Sequence, residues 1–399
     1  MKTIMILGGG PNQLPLLKAA KKREYQVVLC DYNAENPGRE YADIFHCIST
    51  LDQDAVIDAA LAQKIDGIIT NSEPAMKIAA YAAKRLDLPC NPPEIIEKLS
   101  RKDQFRALLQ KKGFPVPAVR YADTEDQAYT ALTALRLPVM VKPVDSSGSR
   151  GVTKLVDAAG LHLAFTNAML FSRVKRVILE EFIESTHDYM IGGDIFVVDG
   201  KVIFWGLMNS MRDRAVNPFV PTGTSFPTRL SDEQCMGLKA QTESMISALE
   251  IQFGAFNIEM MFGTDGKLYV IELNPRNGGN HIPEILREGT GFDIFDATVA
   301  AAVDDQVIQP HGSEPVCLST YVVHSAEDGI LKSVQFSQQL IPHIQYYHEE
   351  RRQGDHIERF ENADKLIGIL FLRFDNQTQM EEMLSNISEM AIIALERSM

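Results

Sequence analysis

The sequence has little of what marks secreted, membrane-spanning or nucleic-acid-binding proteins. Its five cysteines are scattered and no two stand in CxxC spacing, so neither a disulfide framework nor a zinc site is indicated. No apolar run approaches the roughly 18 residues of a membrane span. The net charge of −14 argues against binding to a phosphate backbone. We therefore expect a soluble cytoplasmic protein, in a reducing compartment, with neither nucleic acid nor membrane as a partner.

The composition is that of an ordinary globular protein. With 45% hydrophobic and 23% charged residues among 399, we expect two or three domains with ample core. The amino terminus, MKTIMILGGG, has too short an apolar run for a signal peptide and ends in glycines. Nothing in the sequence indicates a repeat or a low-complexity tract.

Strands and helices alternate near the amino terminus. The pattern predicts strands at 3–7, 27–30 and 66–70 and helices at 13–23, 54–63 and 74–85. Such alternation is typical of an α/β domain with a parallel sheet and right-handed crossovers. Three prolines, Pro89, Pro92 and Pro93, close this first domain.

The glycine turn at residues 8–10 invites comparison with a dinucleotide-binding loop. Asp31 lies about 20 residues beyond it, where such loops are followed by an acidic residue. The fingerprint fails at its last position, because Gln13 replaces the third glycine, and no Lys-Ser/Thr follows as in a P-loop. A structural turn and a substrate-facing loop therefore stand beside NAD binding as alternatives.

The stretch 268–283, LYVIELNPRNGGNHIP, has the strongest chemical pattern. Its first half alternates apolar residues as a half-buried strand does, and the proline after Asn274 ends that strand. Because Glu272, Asn274 and Arg276 are two residues apart, an extended backbone turns them to one face. A carboxylate, an amide and a guanidinium together suit a site where a metal ion meets an anion.

A second strand, 256–260, precedes this one, and the turn at 263–266 predicts a hairpin between them. The pairing would bring Glu259 beside Glu272. Two adjacent carboxylates repel each other unless a divalent cation lies between them, and Mg²⁺ prefers such oxygens together with phosphate. The alternative is that both are solvated strand residues.

A lysine and a small-residue loop follow another predicted strand, 137–143. Lys142 leaves this strand, and the loop 145–152, DSSGSRGV, exposes amides and hydroxyls of the kind that hold a polyphosphate. Upstream, one long helix is predicted over 94–113 with Lys102 in its middle. A solvated helix face is the alternative for that lysine.

Four motifs in order resemble the ATP-grasp superfamily of carboxylate–amine ligases: PVMVKPVDSSGSRGV, LEEFIE, FNIEMMF and IELNPR. The resemblance covers about residues 1–310. The run RNGGNHIP further resembles the RxGGxHIP segment of the L-amino-acid ligases, the group that forms dipeptides. The resemblance implies ATP and Mg²⁺ as cofactors. It also implies a parallel-sheet domain ahead of a two-lobed α+β ATP-grasp domain and a small carboxy-terminal α+β domain.

The resemblance assigns a role to each matching residue. Those assigned to the nucleotide phosphates and the loop closing over them are Lys102, Lys142, Ser146, Ser147, Gly148, Ser149 and Gly151. Those assigned to adenine are Glu180, Phe182 and Ile183, while Asp188 stands one residue beyond the expected ribose-binding glutamate. The Mg²⁺ ligands are Glu259, Glu272 and Asn274, and the catalytic arginine facing the reacting groups is Arg276. The substrate residues are Gly278, Gly279 and His281.

The glycines and the histidine assigned to the substrate each have a chemical reason for that role. Glycines at 278 and 279 would let backbone N–H groups approach a carboxylate closely. His281 would bind substrate or accept a proton from the amine, and packing against the following helix is the alternative.

The resemblance implies a ligase that forms an amide through an acyl phosphate, with a small-molecule carboxylate and amine as substrates and amino acids as the expected pair. The alternatives are an enzyme that phosphorylates bicarbonate, a ligase that joins an amino acid to a sugar acid, and a non-catalytic nucleotide-binding protein. A homodimer is the oligomeric state that we consider.

The predicted domains are 1–93, 94–310 and 311–399. The last contains predicted strands at 316–323 and 366–374 and a predicted helix at 379–395, with Met380, Leu384, Ile387 and Ala391 on one face. The specificity pocket is expected between segment 212–226 and this last domain. Arg212 and Arg214 there are candidates for a second anionic group, the alternative being surface cations.

Overall fold

The computed structural model describes residues 1–309 and 316–396, and its first sheet is the predicted parallel one. Its elements in chain order are β1 (Thr3–Leu7), α1 (Leu14–Lys22), β2 (Gln26–Cys30), β3 (Ile44–His46), α2 (Gln53–Gln63), β4 (Gly67–Ile69) and α3 (Met76–Arg85). The strand order is β3-β2-β1-β4 and every pairing is parallel. This confirms the α/β prediction. Strand β3 was not predicted, because its three half-buried residues are too few to show a period.

All five residues of β1 are buried because helices cover both faces of the sheet. Ile4 and Ile6 pack in one core with α1, while Met5 and Leu7 pack in another with α2 and α3. The two cores explain why the strand is apolar at every position instead of alternating.

The glycine turn after β1 is filled by the protein's own side chains. Asp31 Oδ2 accepts the Gly9 N–H at 2.7 Å, and its other oxygen accepts the Asn33 N–H at 2.8 Å. A Cβ on Gly9 would lie 1.8 Å from Asn36 Oδ1. Among the alternatives for this loop, the contacts favour a structural turn.

The long helix predicted over 94–113 is wrong, because the chain breaks it into α4 (Pro93–Leu99) and α5 (Lys102–Lys111). Arg101 is extended, with φ −128° and ψ 111°. The Lys102 N–H donates to Val144 O at 2.8 Å instead of continuing the first helix. A tertiary hydrogen bond therefore overrides helix propensity, and Lys102 begins a helix instead of lying mid-helix.

A small antiparallel sheet follows, in the order β5-β8-β6-β7. Its elements are β5 (Val119–Ala122), α6 (Glu125–Leu132), β6 (Val139–Pro143), β7 (Thr153–Leu155), α7 (Leu161–Phe171) and β8 (Val177–Glu181). Helices α6 and α7 share one apolar core with this sheet. The small-residue loop connects β6 to β7, as predicted.

A large antiparallel sheet completes the middle of the chain. The elements in this part of the chain are, in order, β9 (Met190–Val198), β10 (Lys201–Asp213), β11 (Asn217–Phe226), α8 (Asp232–Ala248), β12 (Gly254–Phe262), β13 (Leu268–Asn274), α9 (Ile282–Thr290) and α10 (Ile294–Ala302). The remaining elements are β14 (Cys317–Val323), β15 (Gly329–Phe336), β16 (Ile344–Glu349), β17 (His356–Ile357), β18 (Gly368–Phe374), α11 (Gln377–Ser385), α12 (Ile387–Met390) and β19 (Ala391–Glu396). The predicted hairpin is present as β12–β13, and β9 and β10 form a second hairpin.

Carboxy-terminal strands join this large sheet. Its order is β13-β12-β9-β10-β11-β14-β18-β16, and β17-β15-β19 forms a separate sheet. The predicted boundary at 310/311 lies outside the described residues, and the division into three domains stays a prediction. Short 3-10 helices in the described residues are Pro11–Gln13, Pro37–Tyr41, Glu73–Ala75, Ala158–Gly160, Ile341–His343 and Ala363–Lys365.

The predicted helix at 379–395 is wrong in its second half. Helix α11 ends before Asn386, and residues 391–396 form β19, which pairs antiparallel with β15. Met380, Ile387 and Ala391 are buried as the helical pattern expected. The β-branched pair Ile392 and Ile393 nevertheless favours a strand, and β15 supplies the partner.

All five cysteines are free thiols. Within residues 1–309 and 316–396, no helix is both long and apolar enough to cross a bilayer.

Candidate active site

Glu259 and Glu272 face each other across the β12–β13 hairpin, where they are register partners. This confirms the predicted pairing. Lys102 Nζ lies 3.2 Å from Glu272 Oε1, and Arg212 Nη2 lies 3.5 Å from Glu259 Oε1. Asn274 Nδ2 donates to Glu272 Oε2 at 3.1 Å. The hairpin thus presents two carboxylates and an amide, and each carboxylate has a cation beside it.

The two carboxylates differ in how firmly they hold a proton. Burial raises the pKa of Glu259, the Arg212 guanidinium opposes that rise, and the Glu272 charge adds to it. Burial also acts on Glu272, but the Lys102 ammonium and the Asn274 amide outweigh it and lower its pKa to about 2. The cations therefore favour the charged form of Glu272 more strongly than that of Glu259.

The residues of this hairpin fit a Mg²⁺ ion. Such an ion takes one or two carboxylates from the protein and completes its octahedron with water and substrate phosphates. No cluster of three or more Asp, Glu, His or Cys side chains suited to a metal occurs in the described parts of the chain. Two carboxylates and the Asn274 amide oxygen are a donor set that leaves positions open for phosphate oxygens.

A buried ion triad supports the neighbouring lysine. Arg106 Nε donates to Glu180 Oε1 at 2.7 Å, and Lys142 Nζ donates to Glu180 Oε2 at 2.6 Å. The side chains of Arg106 and Glu180 are 1% and 3% exposed. Burial alone would raise the pKa of Glu180, but the two cations lower it to about 2. The triad fixes the Lys142 ammonium at the cavity described below.

Arg106 was missed by the sequence analysis. It lies on α5 beside the buried residues Phe105, Leu108 and Leu109, and its guanidinium also donates to Ile271 O at 3.0 Å. Its partner Glu180 is 74 residues away in sequence. No local pattern distinguishes this arginine from the solvated cations of an ordinary helix.

A cavity of about 690 Å³ lies between the small and the large sheets. The predicted site residues that line it are Lys102, Lys142, Ser146, Ser147, Ser149, Glu180, Phe182, Ile183, Asp188, Glu259 and Glu272. Asn274 lines a narrow cavity that shares Lys102 and Glu272 with the large one, and Arg276 lines a separate cavity. The structure therefore brings the nucleotide and metal candidates together around one space.

The strand end assigned to adenine has one donor already in use. The Phe182 N–H donates to Pro138 O at 3.0 Å, and both Glu180 carboxylate oxygens are held by the triad. In the described parts of the chain, no protein acceptor is found for the Ile183 N–H. Of the three residues assigned to adenine, Ile183 therefore presents the available backbone donor.

Asp188 lies at the mouth of the same cavity. Its carboxylate accepts from Arg229 Nη2 at 2.7 Å, and its side chain is 68% exposed. The residue before it, His187, is tethered by the Phe262 N–H, which donates to its Nε2 at 3.1 Å. A lysine that the sequence analysis missed, Lys154, lies with its Nζ 3.6 Å from the centroid of the Phe182 ring.

The loop over the cavity is held closed by backbone and side-chain contacts. Lys102 Nζ donates to Ser146 O at 2.8 Å, and Ser149 Oγ donates to Phe219 O at 2.8 Å. Gly148 and Gly151 have φ of +66° and +72°, a region where side chains are strained. The glycines are therefore required by the loop's path.

A carboxy-terminal segment also contacts this loop. Ala363 N donates to Gly148 O at 3.4 Å, and Arg150 Nη1 lies 3.4 Å from Asp364 Oδ2. Nothing in the sequence indicated this contact, because Arg150 and Asp364 are 214 residues apart.

Arg276 lies beside the metal candidates but contacts the first domain. Its Nη2 is 3.6 Å from Glu73 Oε2, and its Nη1 donates to Asn277 O at 2.9 Å. Glu73 lines a narrow cavity that also contains Lys102 and Glu272. The sequence analysis did not single out Glu73.

The Gly278 N–H, assigned to a substrate carboxylate, is taken up inside the protein. It donates to both oxygens of Asp194, at 2.8 and 3.0 Å, and Asn257 Nδ2 donates to the same carboxylate at 2.9 Å. Burial raises the pKa of Asp194 to about 7, although Gly278 and Asn257 oppose the rise. A Cβ at Gly278 would lie 2.7 Å from Asn257 Nδ2. The glycine is needed for close approach to Asp194, and the role of Gly279 stays a prediction.

His281 directly precedes α9 and has a left-handed conformation, with φ 60°. Its Nδ1 is 3.4 Å from Glu284 Oε1, and its ring lies 5.0 Å from that of Phe371 and 5.5 Å from that of His348. These contacts favour the packing alternative, and a substrate role stays a prediction.

Arg212 and Arg214 line the large cavity from the large sheet. Burial lowers the pKa of Arg212, while Glu259 and Glu272 oppose that shift. Arg214 Nη2 donates to Asp188 O at 3.5 Å. Arg212 is thus a partner of the metal candidates, not a surface cation.

Curated relatives cover about two thirds of the chain. The uncharacterised protein y4rH of Sinorhizobium fredii is 28% identical over 268 residues, which is 65% of this chain and 54% of that protein. The carbamoyl phosphate synthase large chain of Pseudothermotoga lettingae is 25% identical over 296 residues, which is 69% of this chain and 26% of that protein. The chain thus spans about half the length of the first relative and about a quarter of the second.

Solved structures match along the whole chain. An L-amino acid ligase from Bacillus licheniformis has a TM-score of 0.77 at 20% identity, covering 100% of this chain and 99% of that one. A phosphoribosylglycinamide synthetase from Anaerococcus prevotii has a TM-score of 0.72 at 23% identity, covering 99% and 100%. At these identities the similarity shows a shared fold.

One family matches directly. Residues 107–281 match the ATP-grasp domain, and this range includes Lys142, the loop, the triad glutamate and the paired carboxylates. Lys102 and Glu73 lie before it. The geometry of the site and the shared fold agree with this match, and residues 107–281 of the chain form an ATP-grasp domain.

Proposed function

We propose that this protein is an ATP-dependent carboxylate–amine ligase that forms an amide through an acyl phosphate. The observation that carries the proposal is the convergence of two lysines and two paired carboxylates on one cavity of about 690 Å³. Lys102 contacts Glu272 directly, and Lys142 is fixed by Glu180. A cavity of this size is in the range of small-molecule sites.

The nucleotide would lie between the two sheets. Lys102 and Lys142 would neutralise its phosphates, and the loop containing Ser146–Gly151 would cover them. Glu259, Glu272 and Asn274 would hold Mg²⁺, which when bound neutralises charge that builds on phosphate oxygens. The Ile183 N–H would face the adenine edge.

The reaction would proceed in two displacements. A carboxylate oxygen of the first substrate attacks the γ-phosphorus, the bond to the bridging oxygen breaks, and ADP leaves. The amine nitrogen of the second substrate then attacks the acyl carbon, phosphate leaves, and the nitrogen loses a proton. Arg276 would hold the carboxylate in line with the γ-phosphate and stabilise charge on its oxygens.

Amino acids are the proposed substrates. The run RNGGNHIP and the similarity in fold to an L-amino acid ligase support this choice. That the protein forms a homodimer stays a prediction.

A second candidate is an enzyme that phosphorylates bicarbonate. The observation in its favour is the sequence relationship to carbamoyl phosphate synthase large chains. Such an enzyme requires no recognition of an organic substrate at the Arg276 end of the site. Transfer of label from ¹⁸O-bicarbonate into phosphate would favour this candidate.

An array of amino-acid and organic-acid pairs, including sugar acids, tests the proposal by ADP release and product mass. We expect ADP, phosphate and an amide from at least one amino-acid pair. Lys142→Ala and Glu272→Ala should each lower this turnover at least about 100-fold, because each removes a charge that stabilises the transferring phosphoryl group. Lys201→Ala and Glu233→Ala, on the exposed surface, are the controls. Phosphate release with bicarbonate alone, and no amide, would overturn the ligase.

A further inference from the structure

Glu73 is a charged residue of the first domain that reaches the phosphoryl-transfer end of the site. Its Oε2 lies 3.6 Å from Arg276 Nη2, and the two side chains are 21% and 20% exposed. The narrow cavity beside it is lined also by Lys102, Glu272 and Asn274. It therefore adjoins the position that the proposed function gives to the first substrate.

The first domain holds Glu73 in place. It begins the 3-10 helix Glu73–Ala75, directly after a loop that is tied back to β1. Thr70 Oγ1 donates to Leu7 O at 2.7 Å and accepts the Ser72 N–H at 3.0 Å. Three residues before the glutamate, the Thr70 hydroxyl therefore anchors this loop to the buried sheet.

The carboxylate itself has spare bonding capacity. Its distance to Arg276 exceeds that of a hydrogen bond. In residues 1–309 and 316–396, no donor lies within hydrogen-bond distance of either Glu73 oxygen. A carboxylate accepts several hydrogen bonds, so this one is open to a cationic ligand.

The charge of Glu73 works against nucleotide binding. A carboxylate near the γ-phosphate position repels the anion that Lys102 and Arg276 attract. A cationic group on the other substrate would offset that repulsion. Bicarbonate has no such group, whereas an amino acid has an ammonium and a carboxylate on the same carbon.

We propose that Glu73 binds the α-ammonium of the amino acid whose carboxylate is held by Arg276. This inference rests on the proposed ligase function and names the substrate class of its first step. The neighbouring guanidinium and carboxylate of the protein then match the neighbouring carboxylate and ammonium of an α-amino acid. Glu73 would be a specificity residue that selects amino acids over simple carboxylic acids and bicarbonate.

A purely structural role makes a different prediction. If Glu73 only oriented Arg276, its loss would weaken every carboxylate substrate equally. The test therefore compares an amino acid with its deaminated analogue, such as alanine with propionate or valine with 3-methylbutanoate. Hydroxylamine replaces the second substrate and converts the acyl phosphate to a hydroxamate with release of phosphate.

The variant is Glu73→Gln, which keeps the size of the side chain and removes its charge. We expect kcat/KM for the amino acid to fall about 10- to 100-fold, the usual range for losing a charge-assisted hydrogen bond. The analogue, measured by turnover or as a competitive inhibitor, should change less than about threefold. Calorimetric titration with the amino acid, Mg²⁺ and a non-hydrolysable ATP analogue should show the same selective loss.

The control is Glu94→Gln, which removes the charge of another glutamate that lies at a similar distance from a cation. Glu94 Oε2 lies 3.7 Å from Lys84 Nζ, but both side chains are more than half exposed, at 55% and 61%. This variant should match the wild type with both ligands.

The outcomes separate the two proposals. Equal losses for amino acid and analogue, or no loss for either, would overturn the assignment of Glu73 while the ligase stands. If the wild type forms no hydroxamate from any amino acid, the proposed function fails and the assignment of Glu73 fails with it.

Discussion

Glu259 and Glu272 are register partners across one hairpin, yet their pKa values move in opposite directions. The difference arises from where the cations lie. Lys102 and Asn274 both contact Glu272, at 3.2 and 3.1 Å, whereas Arg212 lies 3.5 Å from Glu259, and Lys102 and Lys142 act on Glu259 from further away. A cation bound between the two carboxylates would therefore oppose the rise in the pKa of Glu259.

This arrangement predicts the behaviour of the metal ligands. Glu272→Gln should weaken binding of Mn²⁺, in the presence of a non-hydrolysable ATP analogue, by at least about tenfold, because the change removes an anionic oxygen from the donor set. Electron paramagnetic resonance of free Mn²⁺ measures this directly. Glu233→Gln, on exposed helix α8, is the control, and equal affinities in all three proteins would contradict the placement of the metal.

Two adjacent glutamates on β8 each bind an arginine, and losing these two arginines should affect stability very differently. Glu180 holds the buried Arg106, while Glu181 holds Arg136 at 2.9 Å with the arginine 90% exposed. Arg106→Leu should lower the free energy of unfolding by about 3–5 kcal/mol, because it leaves a buried carboxylate short of a partner. Arg136→Leu should leave it nearly unchanged, because an exposed ion pair contributes little to stability. Urea denaturation of both variants measures the difference.

A double variant shows whether the loss comes from the unpaired charge. Arg106→Leu combined with Glu180→Leu should recover part of the stability lost by Arg106→Leu alone, since the buried carboxylate is then removed together with its arginine. A double variant less stable than the single one would show that the contact of Glu180 with Lys142 outweighs the cost of the buried carboxylate.

Asp194 predicts a pH dependence of stability. Its pKa is raised to about 7 in the fold, whereas an aspartate in an unfolded chain ionises near pH ~3.9. The folded state therefore binds more protons between these values. The stability from this group is fully present below about pH 4 and is lost as the pH rises through about 7.

Asp194→Asn should flatten this dependence, because an amide does not titrate. Between pH 5 and pH 8, the melting temperature of the wild type should fall by about 2–4 °C more than that of the variant. Asp199→Asn, in the exposed β9–β10 turn, should follow the wild type. A variant that keeps the full wild-type slope would show that Asp194 does not titrate in this range.

Adding a single methyl group to the loop over the cavity, at Gly151, should weaken nucleotide binding. Gly151→Ala adds a Cβ 2.9 Å from Phe171 Cδ2 in a residue with φ +72°, whereas Gly113→Ala, at φ +81°, meets nothing within 4 Å. Both variants should lose about 1 kcal/mol from backbone strain. Only Gly151→Ala should also raise the KM for ATP, because the clash displaces the loop. Equal KM values in both variants would contradict this role of the loop.

Much of the site was predictable because its parts are local. The pairing of Glu259 with Glu272 follows from a short turn between two strands of period two. Lys142 and the loop after it follow from one strand and the small residues that end it. These patterns extend over a few residues, so they do not depend on where distant segments lie.

The sequence by itself determined the α/β class of the first elements and the motifs that resemble the ATP-grasp superfamily. The tertiary structure decided the contacts between distant segments: Arg106 with Glu180 across 74 residues, Asp194 with Gly278 across 84 and Arg150 with Asp364 across 214. It also split the predicted helix at Lys102 and turned residues 391–396 into a strand. Each of these depends on a partner brought close by the path of the chain. Local propensity is weaker than such a contact, and so it does not reveal them.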